Sequence, residues 1–394
     1  MQKRDVVIVS GVRTAIGGYG GSLKGHKPTE LAGMMVAEAV KRAGIAPDTI
    51  GHSVFGNVIH SEPTDMYMGR VAAIKGGLPE EIPALTLNRL CGSGLQAIIT
   101  AAQQIELGLC DTVVAGGAES MSRAPYHLPT ARFGQRMGDG QMIDPMVAAL
   151  HCPFNHIHMG ITAENVAEKY NISREQQDEL AALSHNRAQN AIEQGYFKAQ
   201  IMPVELKSRK GTTLFDTDEH VRMNCTIAEM AALKPVFKKD GTVTAGNASG
   251  LNDAAAALVM MDRKKAEAEG LSVMARLVDY TVVGVDPKLM GIGPVPAIKQ
   301  ILERNNLSVT DIDVYEVNEA FAAQAAAVAQ ELDLPRDRLN PNGSGISLGH
   351  PIGATGAVIT VKALYELNRV KGRYAIASLC IGGGQGIAAL FERV

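Results

Sequence analysis

Short apolar runs alternate along this chain with longer stretches in which apolar residues recur every three or four positions. Residues 6–9 have the texture of a strand, and 29–43 the spacing of a helix closed by Gly44. Residues 53–57 and 84–87 read as strands, 94–107 as a helix closed by Gly108, and 112–115 as another strand. Such alternation predicts a largely parallel sheet covered by helices. From about 121 to 250 the pattern breaks into irregular Met, Arg, His and Pro. A charged amphipathic helix over 175–194 and the basic run Lys207-Ser208-Arg209-Lys210 follow. That stretch predicts an insertion carrying loops. The alternation returns at 254–261, with strands over 314–317 and 375–379 and helices over 320–331 and 356–367. A short internal echo links Cys91-Gly-Ser-Gly94 to Asn342-Gly-Ser-Gly-Ile-Ser-Leu-Gly-His350, each ahead of a helix. Two copies of one αβ unit would bring both helix starts to a shared centre.

At 394 residues the chain exceeds one ordinary core, so two or three domains are expected. Its 46% hydrophobic and 20% charged residues fit a soluble globular protein. A net charge of -3 and only 4% aromatics give no general attraction to nucleic acid or anionic lipid. A phosphate-bearing ligand must therefore be held locally. The five cysteines (91, 110, 152, 225, 380) include no CxxC pair, which argues for a reducing compartment. The run at 6–9 is too short for a signal peptide, and no stretch reads as a membrane span. Phe-Glu-Arg-Val is no peroxisomal address, so the cytoplasm is expected.

Chemistry concentrates in three glycine-rich segments. They are Asn88-Arg89-Leu90-Cys91-Gly92-Ser93-Gly94, Gly349-His350-Pro351 and Cys380-Ile381-Gly382-Gly383-Gly384-Gln385-Gly386. A thiolate is a strong nucleophile, a histidine can activate it, and a second thiol can move a proton elsewhere. Cys91 stands where a strand gives way to a helix, so free N–H groups and the helix dipole should favour its thiolate. Neighbouring glycines let a thioester approach the backbone and leave N–H groups for an oxyanion. His350 is placed to take the Cys91 proton, and N–H groups near Gly382 could bind a second oxyanion.

Each of these residues has a blander reading, as a buried structural cysteine or a histidine satisfying backbone groups; Cys110 and Cys225 fit that reading. Cys91-Gly-Ser-Gly94-Leu-Gln-Ala97 also fits the G-x-G-x-x-A turn of a dinucleotide site. No acidic residue ends the next strand as that site requires: Asp111 precedes it and Glu119 comes late. His151, Cys152, His156 and His158 match no zinc spacing and predict a polar loop along a ligand channel. The basic run is expected to be a solvated face, with Arg222 a partial holder of an anion.

At these segments the sequence resembles the thiolases, and the resemblance covers essentially the whole chain. It extends to Ser10-Gly-Val-Arg-Thr14, Gly116-Gly-Ala-Glu-Ser-Met121, His158-Met-Gly-Ile-Thr-Ala-Glu-Asn165, Gly241-Thr-Val-Thr-Ala-Gly-Asn-Ala-Ser249 and Asn318-Glu-Ala-Phe321. The resemblance implies an α/β fold of duplicated halves in an αβαβα layered core. Residues 1–120 with 251–273 would form one half, 274–394 the other, and 121–250 an inserted loop domain for coenzyme A and assembly. It assigns Cys91 as the acylated nucleophile, His350 as its base and Cys380 as the thiol exchanging a proton with the α-carbon. Asn318, through a water, and His350 would polarise one thioester oxygen, and the N–H groups of Cys91 and Gly382 the other. His158, Met159, Arg222, Ser249, Met290 and Phe321 would surround coenzyme A and its acyl end. No metal or resident cofactor is implied, coenzyme A and acyl-CoA are substrates, and a homodimer or homotetramer is expected.

The His158-Met159-Gly160 loop resembles the biosynthetic short-chain branch. Three departures look most like the broader-range β-ketothiolases of polyhydroxyalkanoate-making bacteria, which accept 3-ketovaleryl as well as acetoacetyl groups. They are Asn340-Pro-Asn-Gly-Ser-Gly-Ile-Ser-Leu, Val317 before Asn318, and Val58-Ile-His-Ser-Glu-Pro-Thr-Asp-Met-Tyr-Met68. The alternatives are a degradative 3-ketoacyl-CoA thiolase, a β-ketoacyl synthase, a nicotinamide enzyme and a non-catalytic acyl-CoA or lipid carrier. Cys380, where a synthase would want histidine, argues against the synthase.

Overall fold

The computed structural model describes residues 4–394. Its apolar runs become strands of a single ten-stranded sheet. One half of that sheet runs Ala84–Leu87, His52–Gly56, Thr112–Ser120, Asn252–Asp262, Val6–Arg13 in spatial order. By chain position that order is third, second, fourth, fifth, first. The other half repeats it. A parallel bridge at Leu339 lies beside Val314–Val317, then come Tyr374–Ile381, Gln385–Glu392 and Ala275–Gly284. The halves join where Val6, Val7 and Ile8 pair antiparallel with Leu277, Arg276 and Ala275. The repeat hinted at by a few residues of sequence is thus written throughout the topology.

The sheet is mixed, which corrects the largely parallel expectation. In each half the second, third and fourth positions pair in parallel, while the fifth runs antiparallel to both neighbours. The cause is local in the second half. Tyr374–Ile381 and Gln385–Glu392 are joined by the glycines at 382–384, with φ of 83° at Gly383 and 87° at Gly384. So short a connection can only make a hairpin.

Layering follows from which helices have no polar face. Thr355–Arg369 is buried nearly all round and Ser93–Glu106 along most of its length. Both contact strands of both halves, so they form the middle layer. Pro28–Ala43 covers the first half from outside and Pro294–Arg304 the second, completing αβαβα. The middle helices touch at their N-terminal ends. A Cβ on Gly94 would lie 2.5 Å from the Ala357 nitrogen, and one on Gly356 would overlap the Leu95 nitrogen. Gly94 thus serves helix packing, and that helix start is occupied by chain rather than open to a dinucleotide. Burying Lys362 requires partners, and its Nζ donates to Glu316 at 2.9 Å and to the Gly343 carbonyl at 2.6 Å.

Between Ser120 and Asn252 the chain leaves the sheet. It carries the helices Met159–Tyr170 and Arg174–Glu193, so this stretch is less irregular than its composition implies. A capping box of Ser173 and Gln176 starts the second helix. The basic run forms the exposed turn of the hairpin Val204–Ser208 with Gly211–Phe215. Arg13 anchors the stretch to the sheet, donating to both Asp218 oxygens at 2.7 and 2.9 Å with both side chains fully buried. The Arg13 of the N-terminal motif is therefore a structural clamp. Among the described residues no helix is long and apolar enough to cross a membrane.

Candidate active site

The strand Ala84–Leu87 ends in a turn that delivers Cys91 to the head of the Ser93–Glu106 helix. Leu90 takes a left-handed φ of 46°, at a cost of roughly 1–2 kcal/mol for an L-residue. The turn is held from both sides. Ser93 Oγ accepts from the Arg89 N–H at 2.9 Å and donates to the Leu90 carbonyl at 2.7 Å. Arg89 also donates to Gln385 at 3.0 Å, tying this turn to the Cys380 hairpin.

His350 occupies the equivalent position in the second half, just ahead of the Thr355–Arg369 helix. Gly349 (φ 110°) lets the backbone pass against Asn252, whose Oδ1 accepts from the His350 N–H at 2.9 Å. The imidazole orientation is set by Thr355. Its hydroxyl donates to the Pro351 carbonyl at 2.8 Å, so at 2.7 Å from His350 Nδ1 it must accept. The proton therefore sits on Nδ1, and Nε2 carries the free lone pair. Nε2 is buried and has no partner among the described residues.

Removing the Thr355 hydroxyl frees the ring to adopt the wrong tautomer. Thr355→Val is expected to lower kcat about tenfold, the worth of one unpaired buried group, with little change in KM. It should also displace the acid limb of the pH–rate profile, and Thr355→Ser should restore both. An unchanged profile would sink this role.

Cys380 lies near the end of Tyr374–Ile381, paired with Gly386 and 1% exposed. The Cys91 thiol is not eased toward the thiolate as its place at a helix start suggested. Burial pushes the Cys91 thiol up to about 11, outweighing the N–H groups of Gly382 and Cys91 itself that face its sulfur. Burial likewise pulls His350 down to about 4. Cys380 is raised further by burial and by its neighbour Cys91. The helix-start argument identified a real pull but missed the larger opposing one. Both shifts favour the uncharged forms of thiol and imidazole at neutral pH.

Cys91, His350, Cys380 and Gly382 all line one mostly apolar cavity of about 500 Å³. On one wall His158 stacks on Phe237, with ring centroids 4.6 Å apart. His158 Nδ1 accepts from the Gly160 N–H at 3.0 Å, and burial lowers its pKa. A neutral ring with Nε2–H available follows. Met121, Met146 and Ile352 form an apolar cluster against which Cys91 packs.

Two family models match the chain: Thiolase, N-terminal domain over residues 6–264, and Thiolase, C-terminal domain over 271–393. The chain belongs to the thiolase family. Beta-ketothiolase BktB of Cupriavidus necator is 66% identical over 99% of this thiolase and 100% of that protein. The crystal structure of the Bacillus anthracis acetyl-CoA acetyltransferase matches with a TM-score of 0.97 at 50% identity, covering 100% of both chains. Human mitochondrial 3-ketoacyl-CoA thiolase in complex with CoA matches at 0.96 and 43% identity, over 99% of this chain and 98% of that one.

The cavity of this thiolase also brings His158, Met159, Ser249, Met290 and Phe321 beside the three reactive residues. Asn318 does not line it. It is fully buried, its N–H donates to the Ser378 carbonyl at 2.9 Å, and both side-chain polar atoms lack a partner among the described residues. Arg222 lies outside the cavity on an exposed stretch, its backbone N–H donating to His185 Nδ1 at 3.1 Å. Sequence reasoning missed Phe237 and Asn252, which reach the site only through tertiary contacts, and Thr355, whose part shows only in its hydrogen bond to the ring five residues back. It met Glu119 inside a motif and as a poorly placed acidic residue for a dinucleotide site, and gave it no role.

Proposed function

We propose that this chain is a β-ketothiolase: it cleaves short 3-ketoacyl-CoA thioesters with coenzyme A and, in reverse, condenses acetyl-CoA with a short acyl-CoA. The observation that carries this reading is that two thiols and the free His350 Nε2 open into one apolar cavity. In thiolysis the Cys91 sulfur attacks the 3-keto carbon as its proton passes to His350 Nε2. The C2–C3 bond then breaks and its electron pair stays on C2. Cys380 protonates that carbon, giving acetyl-CoA and an acyl thioester on Cys91. Coenzyme A enters, gives its thiol proton to the Cys380 thiolate and takes the acyl group, while His350 returns its proton to the departing Cys91 sulfur.

Two oxyanions form along this path and need separate donors. The N–H groups of Cys91 and Gly382, which face the sulfur, suit the acyl oxygen. Protonated His350 and, through a water, the Asn318 side chain, which has no partner among the described residues, suit the enolate oxygen. His158, Met159, Ser249, Met290 and Phe321 would hold the acyl end of coenzyme A, and Arg222 its charged end at the surface. No metal or resident cofactor enters these steps. Assembly as a homodimer or homotetramer is supported by Phe133 and Met137, left 88% and 91% exposed in the inserted stretch.

The test is coenzyme A-dependent cleavage of acetoacetyl-CoA beside 3-ketovaleryl-CoA, with Cys91→Ser as control. Cleavage of both, lost in the variant, is expected. Cleavage of acetoacetyl-CoA alone would defeat the broad-range reading. Tight acyl-CoA binding without cleavage by the wild type would favour a carrier.

A further inference from the structure

One buried ionisable group beside the reactive residues has no part in the steps above. Glu119, near the end of Thr112–Ser120, is fully buried, and its two oxygens accept four hydrogen bonds. Oε1 accepts from Asn57 Nδ2 and the Ile59 N–H, both at 3.1 Å. Oε2 accepts from the Val58 N–H at 3.1 Å and the Gly353 N–H at 2.9 Å. Three donors belong to the segment after His52–Gly56, and the fourth to the turn between His350 and Thr355. All four partners donate, and Asn57 is fixed in that orientation because its Nδ2 also donates to the Ala118 carbonyl at 2.9 Å.

The fit is close enough to require glycine. A Cβ on Gly353 would lie 2.6 Å from Glu119 Oε2, and Gly117 is pressed against the Gly353 carbonyl. The carboxylate therefore acts as a rivet between two loops, one of which carries His350. Its charge reaches the nucleophile as well.

We propose that Glu119 is a positioning residue, pinning the His350 turn opposite Cys91, and that once ionised it sets a negative charge facing the Cys91 sulfur. The proposal rests on the assignment of Cys91 and His350 as the reacting pair. Cys91 shares its cavity with Cys380 and His350 and is faced by Glu119, while Glu119 is in turn faced by Asp65. Burial pushes the Glu119 carboxyl up to about 8, against the pull of its three N–H donors. It is thus an anion throughout the higher range in which the Cys91 thiol ionises, and its charge helps to raise that thiol. Glutamine cannot replace it: an amide has one acceptor oxygen and would point a donor at donors.

The test uses Glu119→Gln and Asn57→Ala in the full chain. Steady-state thiolysis is combined with ultraviolet thiolate titration, each titration referenced to the same protein carrying Cys91→Ser. Folded Glu119→Gln is expected to lose roughly 10- to 100-fold in kcat with KM within about threefold, as misplacement of a catalytic group does. Its Cys91 midpoint should fall by roughly half a unit to one unit as the charge is removed. Asn57→Ala keeps the charge, so it should show a smaller kcat loss with the wild-type midpoint. A wild-type kcat, or an unmoved midpoint, in folded Glu119→Gln would overturn the proposal. If that variant does not fold, wild-type kcat in Asn57→Ala would overturn it. The titration needs no turnover, so it reads out even if the proposed reaction is wrong.

Discussion

Cys91→Ala is expected to lower thiolysis about ten-thousandfold or more while leaving the thermal unfolding midpoint near wild type, since the lost sulfur only lines a cavity. His350→Asn should cost about a hundred- to ten-thousandfold, the usual range for a general base, with the thiol still present to be alkylated. The pair also has a pH signature. The imidazole takes a proton only as pH falls toward about 4, and the thiol loses one only as pH rises toward about 11. Through the neutral range both stay uncharged. Thiolate absorbance, taken as wild type minus Cys91→Ser, should therefore stay flat through neutral pH and rise only in strong alkali. A midpoint near neutrality would mean a preformed thiolate–imidazolium pair and would overturn the mechanism of proton transfer during attack.

Gly356→Val is expected to yield no soluble folded protein. The added Cβ would overlap the Leu95 backbone nitrogen, and a backbone atom inside a buried helix pair has nowhere to move. Gly25→Ala is the matched control. Its Cβ would meet nothing within 4 Å among the described residues and its φ is ordinary, so stability should change by less than about 0.5 kcal/mol. Soluble expression followed by urea unfolding distinguishes the two. A folded, active Gly356→Val would mean that the middle layer can spread, and that the distance between the two helix heads is not fixed by this crossing.

Much of this was legible along the chain because its signals are local. The strand over Val314–Val317 and the helices Pro28–Ala43 and Thr355–Arg369 stand within a residue or two of where apolar spacing puts them. Cys91, His350 and Cys380 announced themselves by their glycine settings. What stayed hidden depends on distant partners. Gln385–Glu392 begins Gln-Gly-Ile-Ala-Ala, which continues a glycine loop by eye and becomes a strand only by pairing on both sides. Alanines of Asn252–Asp262, poor strand formers alone, are held by burial between two neighbours. Burial also reversed the expected direction of the Cys91 thiol. The four donors around Glu119 come from segments about 60 and 234 residues away in sequence, and no spacing rule joins them.

The duplicated topology sets Cys91 and His350, the proposed nucleophile and base, at matching points, each in the turn that leads into a middle-layer helix. Two identical halves would offer two thiols there, or two imidazoles, and neither set joins a strongly nucleophilic sulfur to a nitrogen base suited to take its proton. Reactivity at this junction thus depends on the copies having become unlike, so that a fold nearly symmetric in its backbone is polar in its chemistry, with one end giving a proton and the other taking it.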